Sequence, residues 1–403
     1  MGMTGIVCEY NPFHNGHEAH IRETKRLTGE EETIVCVMSG DFVQRGEAAV
    51  YSKFARAEAA CRCGADLIIE LPLPWALSSA EGFARGAVGL LGALGVEKLS
   101  FGSETGELAP LEQAAQILLE PGFQQEIRTL LLQDGSLSYA AARQQAMAGR
   151  TGDGARLLEQ PNNILGIEYL KAIYDLRLEI SPFAVKRQGS GHDRESPGPG
   201  PRSASELRSM LLRRESISGH IPAQAAQVYA KERELSREIA DPSAFELAAL
   251  SRLRLFDEEY FKSLPDGADG LGSRLYRAVR KEGTLNGILA SAKTKRYALA
   301  RIRRMLLCAC LGVKAGMNRG VPPYARVLAA NEKGRSALRE IGKKTSLPLV
   351  TKPASVKNLS AECEELFSLG ASAHDFYVLG YCVPSERKTG NDWRTGPKIV
   401  ENQ

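Results

Sequence analysis

Four short apolar runs, separated by stretches of helical length, constrain this chain most. Residues 5–8, 33–38, 66–71 and 96–101 are rich in Val, Ile, Leu and Cys. Three of them end in polar turns, at Asn11 to His17, Ser39-Gly40-Asp41 and Gly102-Ser103, and the run at 66–71 stops at Pro72. The intervening stretches 18–27, 52–63 and 78–94 have helical length and composition. Short runs joined by crossover helices predict an α/β fold with a doubly wound parallel sheet. Ligands of such sheets collect beyond the carboxyl ends of the strands, where the strand order reverses.

The rest of the chain reads more coarsely. Residues 110–150 are helical, interrupted near Pro121-Gly122 and Asp134-Gly135. A further helix follows Pro161 to about Leu176, with Asn162 or Asn163 suited to its N-cap. Residues 179–186 supply the last strand. The Gly- and Pro-rich stretch 187–201 is too broken for regular structure and reads as a lid over a ligand or as a linker. Ser203, three residues before Glu206, then opens a helix with capping-box chemistry, and helices continue to Lys314 with breaks at Pro222, Pro242 and Pro265. Within 293–306, a helix would place Lys293, Arg296, Tyr297, Arg301 and Arg304 in one arc of roughly 140°, opposite Leu299, Ile302 and Leu306. From Val321 a smaller α/β portion is expected, including residues 346–350 and a helix over 360–369, with a poorly ordered tail after Ser385. The expected organisation is a nucleotide-binding domain at 1–202 and a mostly helical, basic region at 203–403.

Charge divides the same way. The net formal charge is +4, yet residues 1–200 carry −8 and residues 201–403 carry +12. An acidic half joined to a basic half points the second half at a polyanion. No apolar run reaches the ~18 residues of a membrane span, and no signal peptide is visible, so a cytoplasmic protein is expected. The eight cysteines show no C-x-x-C spacing and no nearby His pair, which predicts neither zinc nor a structural disulfide.

The chemistry gathers at residues 9–17, Glu-Tyr-Asn-Pro-Phe-His-Asn-Gly-His. A strand, a Pro-containing turn and a helix beginning at Gly16-His17 form a phosphate-binding arrangement. The first helical turn leaves N–H groups unpaired, and the helix dipole adds partial positive charge. Gly16 would let a phosphate approach the backbone. His14 and His17, three residues apart, can face the same anion.

His14-Asn15-Gly16-His17, with a distal Ser203-to-Arg208 element, resembles the HIGH-type nucleotidyltransferase superfamily. The residues 7–17 and 39–47, Phe101-Gly102-Ser103-Glu104, 161–166 and Thr294-Lys295-Arg296-Tyr297 together resemble the bacterial tRNA(Met) cytidine acetate ligase family over nearly the whole chain. The resemblance implies a Rossmann-like first domain. It also implies that acetate attacks ATP to give acetyl-adenylate and pyrophosphate, and that the wobble cytidine of elongator tRNA(Met) then takes the acetyl group at N4. Implied ATP contacts are Val7, Cys8, Glu9, Tyr10, Asn11, Pro12, Phe13, His14, Asn15, Gly16, His17, Glu18, Ala19, His20, Gly102, Asn162 and Arg187, with Ser205 and Arg208 on the pyrophosphate side. Ala204 replaces a hydroxyl some relatives carry, which leaves Ser203 and Ser205 both open as the phosphate contact. His14, His17 and Asp41 are the expected catalytic residues, and Gln44 and Arg45 share Asp41's loop. Lys293, Lys295, Arg296, Tyr297, Arg301 and Arg304 are the expected tRNA contacts. ATP, accompanied by Mg²⁺, is the expected nucleotide. No protein-borne metal cage, membrane or protein partner is expected. The competing readings are a small-molecule adenylyltransferase and a non-catalytic tRNA-binding protein. The basic half has no place in the first, and the complete His/Gly/His and Ser/Arg set argues against the second.

Overall fold

The computed structural model describes residues 2–187, 202–238 and 242–401. The lid or linker expected at 187–201 therefore lies, apart from Arg187, outside the described residues. The strands are β1 (Met3–Cys8), β2 (Thr33–Ser39), β3 (Phe42–Val43), β4 (Glu47–Ala48), β5 (Leu67–Leu71), β6 (Lys98–Ser103), β7 (Ser181–Lys186), β8 (Ala325–Ala330), β9 (Leu349–Val350) and β10 (Lys398–Ile399). Eight form one sheet in the order β10-β8-β5-β2-β1-β6-β7, with β9 also on β8, and β3 and β4 form a separate hairpin. Every pairing in the large sheet is parallel except β5 with β8.

The alternation read from the first half thus becomes a doubly wound sheet. The chain lays β2 and β5 on one side of β1, then returns to lay β6 and β7 on the other. The order reverses between β1 and β6, which opens a crevice at their carboxyl ends. Side-chain alternation along the central strands feeds two cores. Val35, Val37, Leu67 and Ile69 join Phe83, Ala87 and Leu90 on one face. Ile34, Cys36, Met38 and Ile68 join Ile21, Ala57 and Ala60 on the other. Burial on both faces explains why these strands read as continuous apolar runs. A third cluster, centred on Ile302, Met305, Leu275 and Phe261, holds the helical half together.

The structure corrects the reading of the second half at three places. First, the sheet does not stop with β7, because β8 and β10 extend it beyond β5. Second, the tail after Ser385 is ordered over the described residues 386–401. It forms a helical turn at Asn391–Arg394 and then β10, anchored by Asp392, which has no solvent exposure and pairs with Lys53 and Arg326 at 2.8 Å each. Third, residues 293–306 are not one helix. Leu285–Ala292 ends with Lys293 as its C-cap, and the next helix, Leu299–Leu311, begins after Ala298. The Thr294 hydroxyl accepts from the Tyr297 N–H at 3.3 Å and Lys293 Nζ donates to the Tyr297 carbonyl at 2.8 Å. Such local bonds compete with helix continuation.

Candidate active site

The helix Asn15–Thr28 is capped by imidazoles. His14 is the N-cap, and its Nδ1 accepts from the Gly16 N–H at 3.0 Å, while His17 Nδ1 accepts from the His14 N–H at 3.3 Å. The two rings lie with centroids 3.7 Å apart. An Nδ1 that accepts carries no proton, so in the neutral ring the proton sits on Nε2. The cap therefore fixes both tautomers with Nε2–H as the donor. It also changes the role of the backbone. The N–H groups of Gly16, His17 and Glu18 are already bonded to His14, the latter two to its carbonyl at 2.8 and 3.2 Å. They are not the unpaired donors expected from a bare helix start. Gly16 has a second reason to be glycine, since a Cβ there would lie 2.8 Å from His14 Cε1. The small residue makes room for the imidazole to fold back.

At the carboxyl ends of β1 and β6 opens a cleft of about 380 Å³, a size typical of small-molecule sites. Val7, Cys8, Glu9, Tyr10, Asn11, His17 and His20 line it from the first strand and helix. Gly102, Asn162 and Arg187 line it from the β6 side, and Ser205 and Arg208 come from the helix Ala204–Leu212. These twelve belong to the expected ATP set. Pro12, Phe13, His14, Asn15, Gly16, Glu18 and Ala19 are not part of the wall. Phe13 is fully buried, and its N–H donates to the Tyr229 hydroxyl at 3.0 Å, which ties the turn to the helix Ala223–Glu234.

Each side of the cleft is held by specific bonds. His20 Nε2 meets the Ser100 hydroxyl at 2.9 Å, and burial, with Arg187 nearby, lowers the His20 pKa to about 4. It is a neutral ring at pH 7. On the β6 side, Glu104 does the capping expected of Asn162 or Asn163. Its carboxylate accepts from the Asn162 and Asn163 N–H groups at 3.2 and 2.8 Å, and Gln160 is the N-cap of the helix Pro161–Asp175. Asn163 turns inward and accepts from the Ser103 hydroxyl at 2.7 Å. Asn162 is left to face the cleft, where its amide oxygen accepts from Arg187 at 3.4 Å.

The Ser/Arg element divides its labour. Ser203 accepts from the Glu206 N–H, and the Glu206 carboxylate accepts from the Ser203 N–H at 2.7 Å, a complete capping box. Ser203 is thereby committed to the helix, and Ser205 is the serine on the cleft wall. Arg208 donates to Ser205 Oγ at 3.0 Å and to the Asn11 carbonyl at 2.9 Å, clasping the turn from across 197 residues.

Asp41 sits elsewhere than expected. It is 4% exposed and absent from the cleft wall. One carboxylate oxygen meets His374 Nδ1 at 2.8 Å and the other accepts from the Lys53 N–H at 2.8 Å. Burial works against its ionised form, but His374 and Lys53 outweigh it and hold the carboxyl below the usual range. Lys53 Nζ in turn bonds Glu70 and Asp392 at 2.8 Å, and Arg326 bonds the same two carboxylates at 3.1 and 2.8 Å. Asp41 belongs to this buried ionic knot behind the cleft. Arg56 was legible only as one cation in an Ala-rich helix, yet it has no solvent exposure. It donates to the carbonyls of Tyr51 at 2.9 Å, Glu9 at 2.5 Å, Ser39 at 3.2 Å and Gly40. It stitches together the chain ends that leave β1 and β2.

The β3–β4 hairpin forms the opposite lip with Val43, Gln44, Arg45 and Glu47. The Gln44 N–H donates to Glu9 Oε1 at 2.7 Å. At the turn, Gly46 has φ +76°, and a Cβ there would lie 2.5 Å from the Arg304 backbone nitrogen. Arg303 pairs with Glu47, and Arg304 donates to the Gln44 carbonyl at 3.4 Å and pairs with Asp266 at 3.7 Å. The helix Leu299–Leu311 is therefore a clamp on the hairpin.

This placement breaks up the expected basic arc. Arg304 and Tyr297 are 8% and 6% exposed, Arg301 is half-buried against Asp266 at 3.2 Å, and the Tyr297 hydroxyl is bonded to the Asp269 carbonyl. Of the six expected tRNA contacts only Lys293, Lys295 and Arg296 are exposed, and they lie on the loop between the two helices.

Known proteins share the sequence pattern and the fold of this chain. A sequence model of the HIGH nucleotidyl transferase family matches residues 1–392. A tRNA(Met) cytidine acetate ligase of Acetivibrio thermocellus is 36% identical over 98% of both chains. The protein of the same name from Syntrophotalea carbinolica is 40% identical over 87% of this chain and 85% of its own. Among solved structures, Thermotoga maritima TmcAL superposes over the full length of both chains with a TM-score of 0.94 at 30% identity in its apo form. Bound with alpha-thio ATP, it superposes with 0.91 at 31% identity.

Proposed function

From the premise that this chain belongs to the tRNA(Met) cytidine acetate ligase family of HIGH nucleotidyl transferases, we propose that it uses ATP to activate acetate and acetylates N4 of the wobble cytidine of elongator tRNA(Met). The carrying observation is the convergence of His17, Ser205 and Arg208 with Asn162 and Arg187 on one cleft at the β1/β6 switch point. An acetate oxygen attacks the α-phosphorus of ATP, and the bond to pyrophosphate breaks. His17 donates from Nε2 to phosphate oxygens, while His14 holds the turn and the tautomer. Arg208 and Ser205 stabilise the departing pyrophosphate, and Asn162 and Arg187 bind the nucleoside end. Donors fixed before the reaction stabilise developing charge without reorganising. Acetyl transfer then releases AMP.

Mg²⁺ accompanies ATP in this reading, carried by the phosphates themselves. Among the described residues no group of three or more His, Cys, Asp or Glu side chains could hold a metal. The functional division proposed is a nucleotide site built mainly by residues 1–202, to which the helix Ala204–Leu212 lends Ser205 and Arg208. Residues 203–403 dock tRNA, with Lys293, Lys295 and Arg296 meeting its phosphates. A tRNA-modifying role puts the protein in the cytoplasm. Among the described residues no helix is long and apolar enough to cross a membrane.

The test is to incubate the protein with ATP, labelled acetate and tRNA(Met), then digest the tRNA and identify its nucleosides by mass spectrometry. Label in N4-acetylcytidine from the anticodon is the expected result. Label in no nucleoside, with turnover of a phosphorylated metabolite instead, would establish the small-molecule adenylyltransferase reading.

A further inference from the structure

We propose that Glu9 accepts the proton released when the cytidine amine attacks acetyl-adenylate. This rests on the acetate ligase reading and adds a residue and a role to its second step. Among the described residues two carboxylates line the cleft, Glu9 and Glu47. Glu47 is taken by Arg303. Glu9 uses Oε1 to accept from the Gln44 N–H at 2.7 Å, and Oε2 carries no hydrogen bond among the described residues. Its main chain is fixed as well, because the Glu9 carbonyl accepts from Arg56 at 2.5 Å. A carboxylate pinned at both ends, with one oxygen open to the cleft, is a preorganised acceptor.

The chemistry of the substrates decides what it accepts from. The triphosphate and acetate are anions, which a carboxylate repels. Cytidine is neutral and brings an amine with two hydrogens. The adenine amine is also a donor, but Glu9 lies two residues from Asn11, whose carbonyl is held by Arg208, the residue proposed above to bind the pyrophosphate. The acetyl carbon of acetyl-adenylate, one oxygen from the α-phosphorus, must lie on the phosphate side. In the step, the N4 lone pair forms the C–N bond to the acetyl carbon, and the bond from that carbon to the phosphate oxygen breaks. AMP leaves with that electron pair, and the N4 proton passes to Glu9 Oε2.

Geometry selects the residue, and its environment favours the role. Burial raises the Glu9 carboxyl above its ordinary value, against the Gln44 N–H and the charges of Arg208, Arg45 and Arg56. These three arginines face it from the helix Ala204–Leu212, the hairpin and the helix Lys53–Arg62, while Tyr169 and His17 face the same cleft from their own helices. A raised carboxyl is a stronger base than an exposed one.

The experiment is a single-turnover transfer. Enzyme loaded with acetyl-adenylate, made in place from ATP and acetate, is mixed with tRNA(Met), and the rate constant is expressed per bound acetyl-adenylate. Glu9→Gln keeps an oxygen for the Gln44 N–H and removes the basicity. The expected result is a transfer rate constant lower by about 100-fold, with loss of the decline toward acid pH expected of the wild type. Glu9→Asp should recover part of the rate. The proposal is overturned if Glu9→Gln transfers at the wild-type rate or keeps the acid limb. It is equally overturned if the variant fails to accumulate acetyl-adenylate, since the carboxylate would then serve the first step. Failure of the underlying reading looks different, because the wild type itself would yield no acetylcytidine.

Discussion

Replacing Lys53 by Met tests how the ionic knot supports the cleft. Lys53 is 1% exposed and lies 2.8 Å from both Glu70 and Asp392 and 3.9 Å from Asp41. Removing its charge leaves three buried carboxylates facing Arg326 and His374. Deleting one partner of such a buried set costs about 3–5 kcal/mol, because the others lose compensation that water cannot restore. The assay is urea denaturation followed by circular dichroism at neutral pH. Adding Glu70→Gln to Lys53→Met leaves Arg326 paired with Asp392, so the double variant should lose less than the two singles summed. Acid dependence adds a second readout. In Asp41 and Asp392 burial is outweighed by the neighbouring cations, which hold both carboxyls below their ordinary values in the folded protein. Their stabilisation is therefore present above the unfolded carboxylate pKa of about 3.9 and is lost as pH falls through the lower folded values. Lys53→Met should shift that loss to higher pH. A cost below about 1 kcal/mol, or strict additivity in the double variant, would refute the reasoning.

Four other outcomes follow from the site. His17→Ala should lower acetyl-adenylate formation by at least ~100-fold, the scale of a lost transition-state donor, with tRNA affinity by filter binding nearly unchanged. Gly46→Ala forces a Cβ into a φ of +76° and against Arg304; it should slow adenylation through the displaced hairpin while tRNA affinity holds. Charge reversal at Lys293, Lys295 and Arg296 should weaken tRNA binding across sequences and reduce its salt slope by about one per residue. His20, lowered to about 4 by burial, binds its proton more readily when unfolded, so stability should fall as pH drops below ~6.5 toward 4, and His20→Gln should flatten that limb in urea titrations.

Local chemistry made part of this structure legible. The apolar runs of β1, β2, β5 and β6 are buried on both faces, and the capping pair Ser203 and Glu206 marks a helix start from sequence alone. The His-x-Gly-His turn was recognisable, but its internal bonding was not. Nothing in the residue order says that the His14 ring takes the Gly16 N–H and the His17 ring the His14 N–H, or that the N–H groups a phosphate would otherwise meet are already bonded to His14. Partner choice over long distance was equally hidden. Asp41 looked like a strand-end acid and instead meets His374, 333 residues away. Glu104 caps a helix that starts 57 residues later, at Pro161. The basic arc failed for a local reason, because the hydroxyl of Thr294 and the amine of Lys293 bond the backbone of Tyr297 and end the helical period. Arg304 had the right spacing for a solvent face, but the glycine at position 46 admits the hairpin against it.

Acetate-dependent exchange of labelled pyrophosphate into ATP, measured without tRNA, addresses the cleft alone. Acyl activation at His17, Ser205 and Arg208 predicts exchange that requires acetate and disappears in His17→Ala and Arg208→Gln. Exchange that proceeds without acetate, or that survives both substitutions, would contradict it.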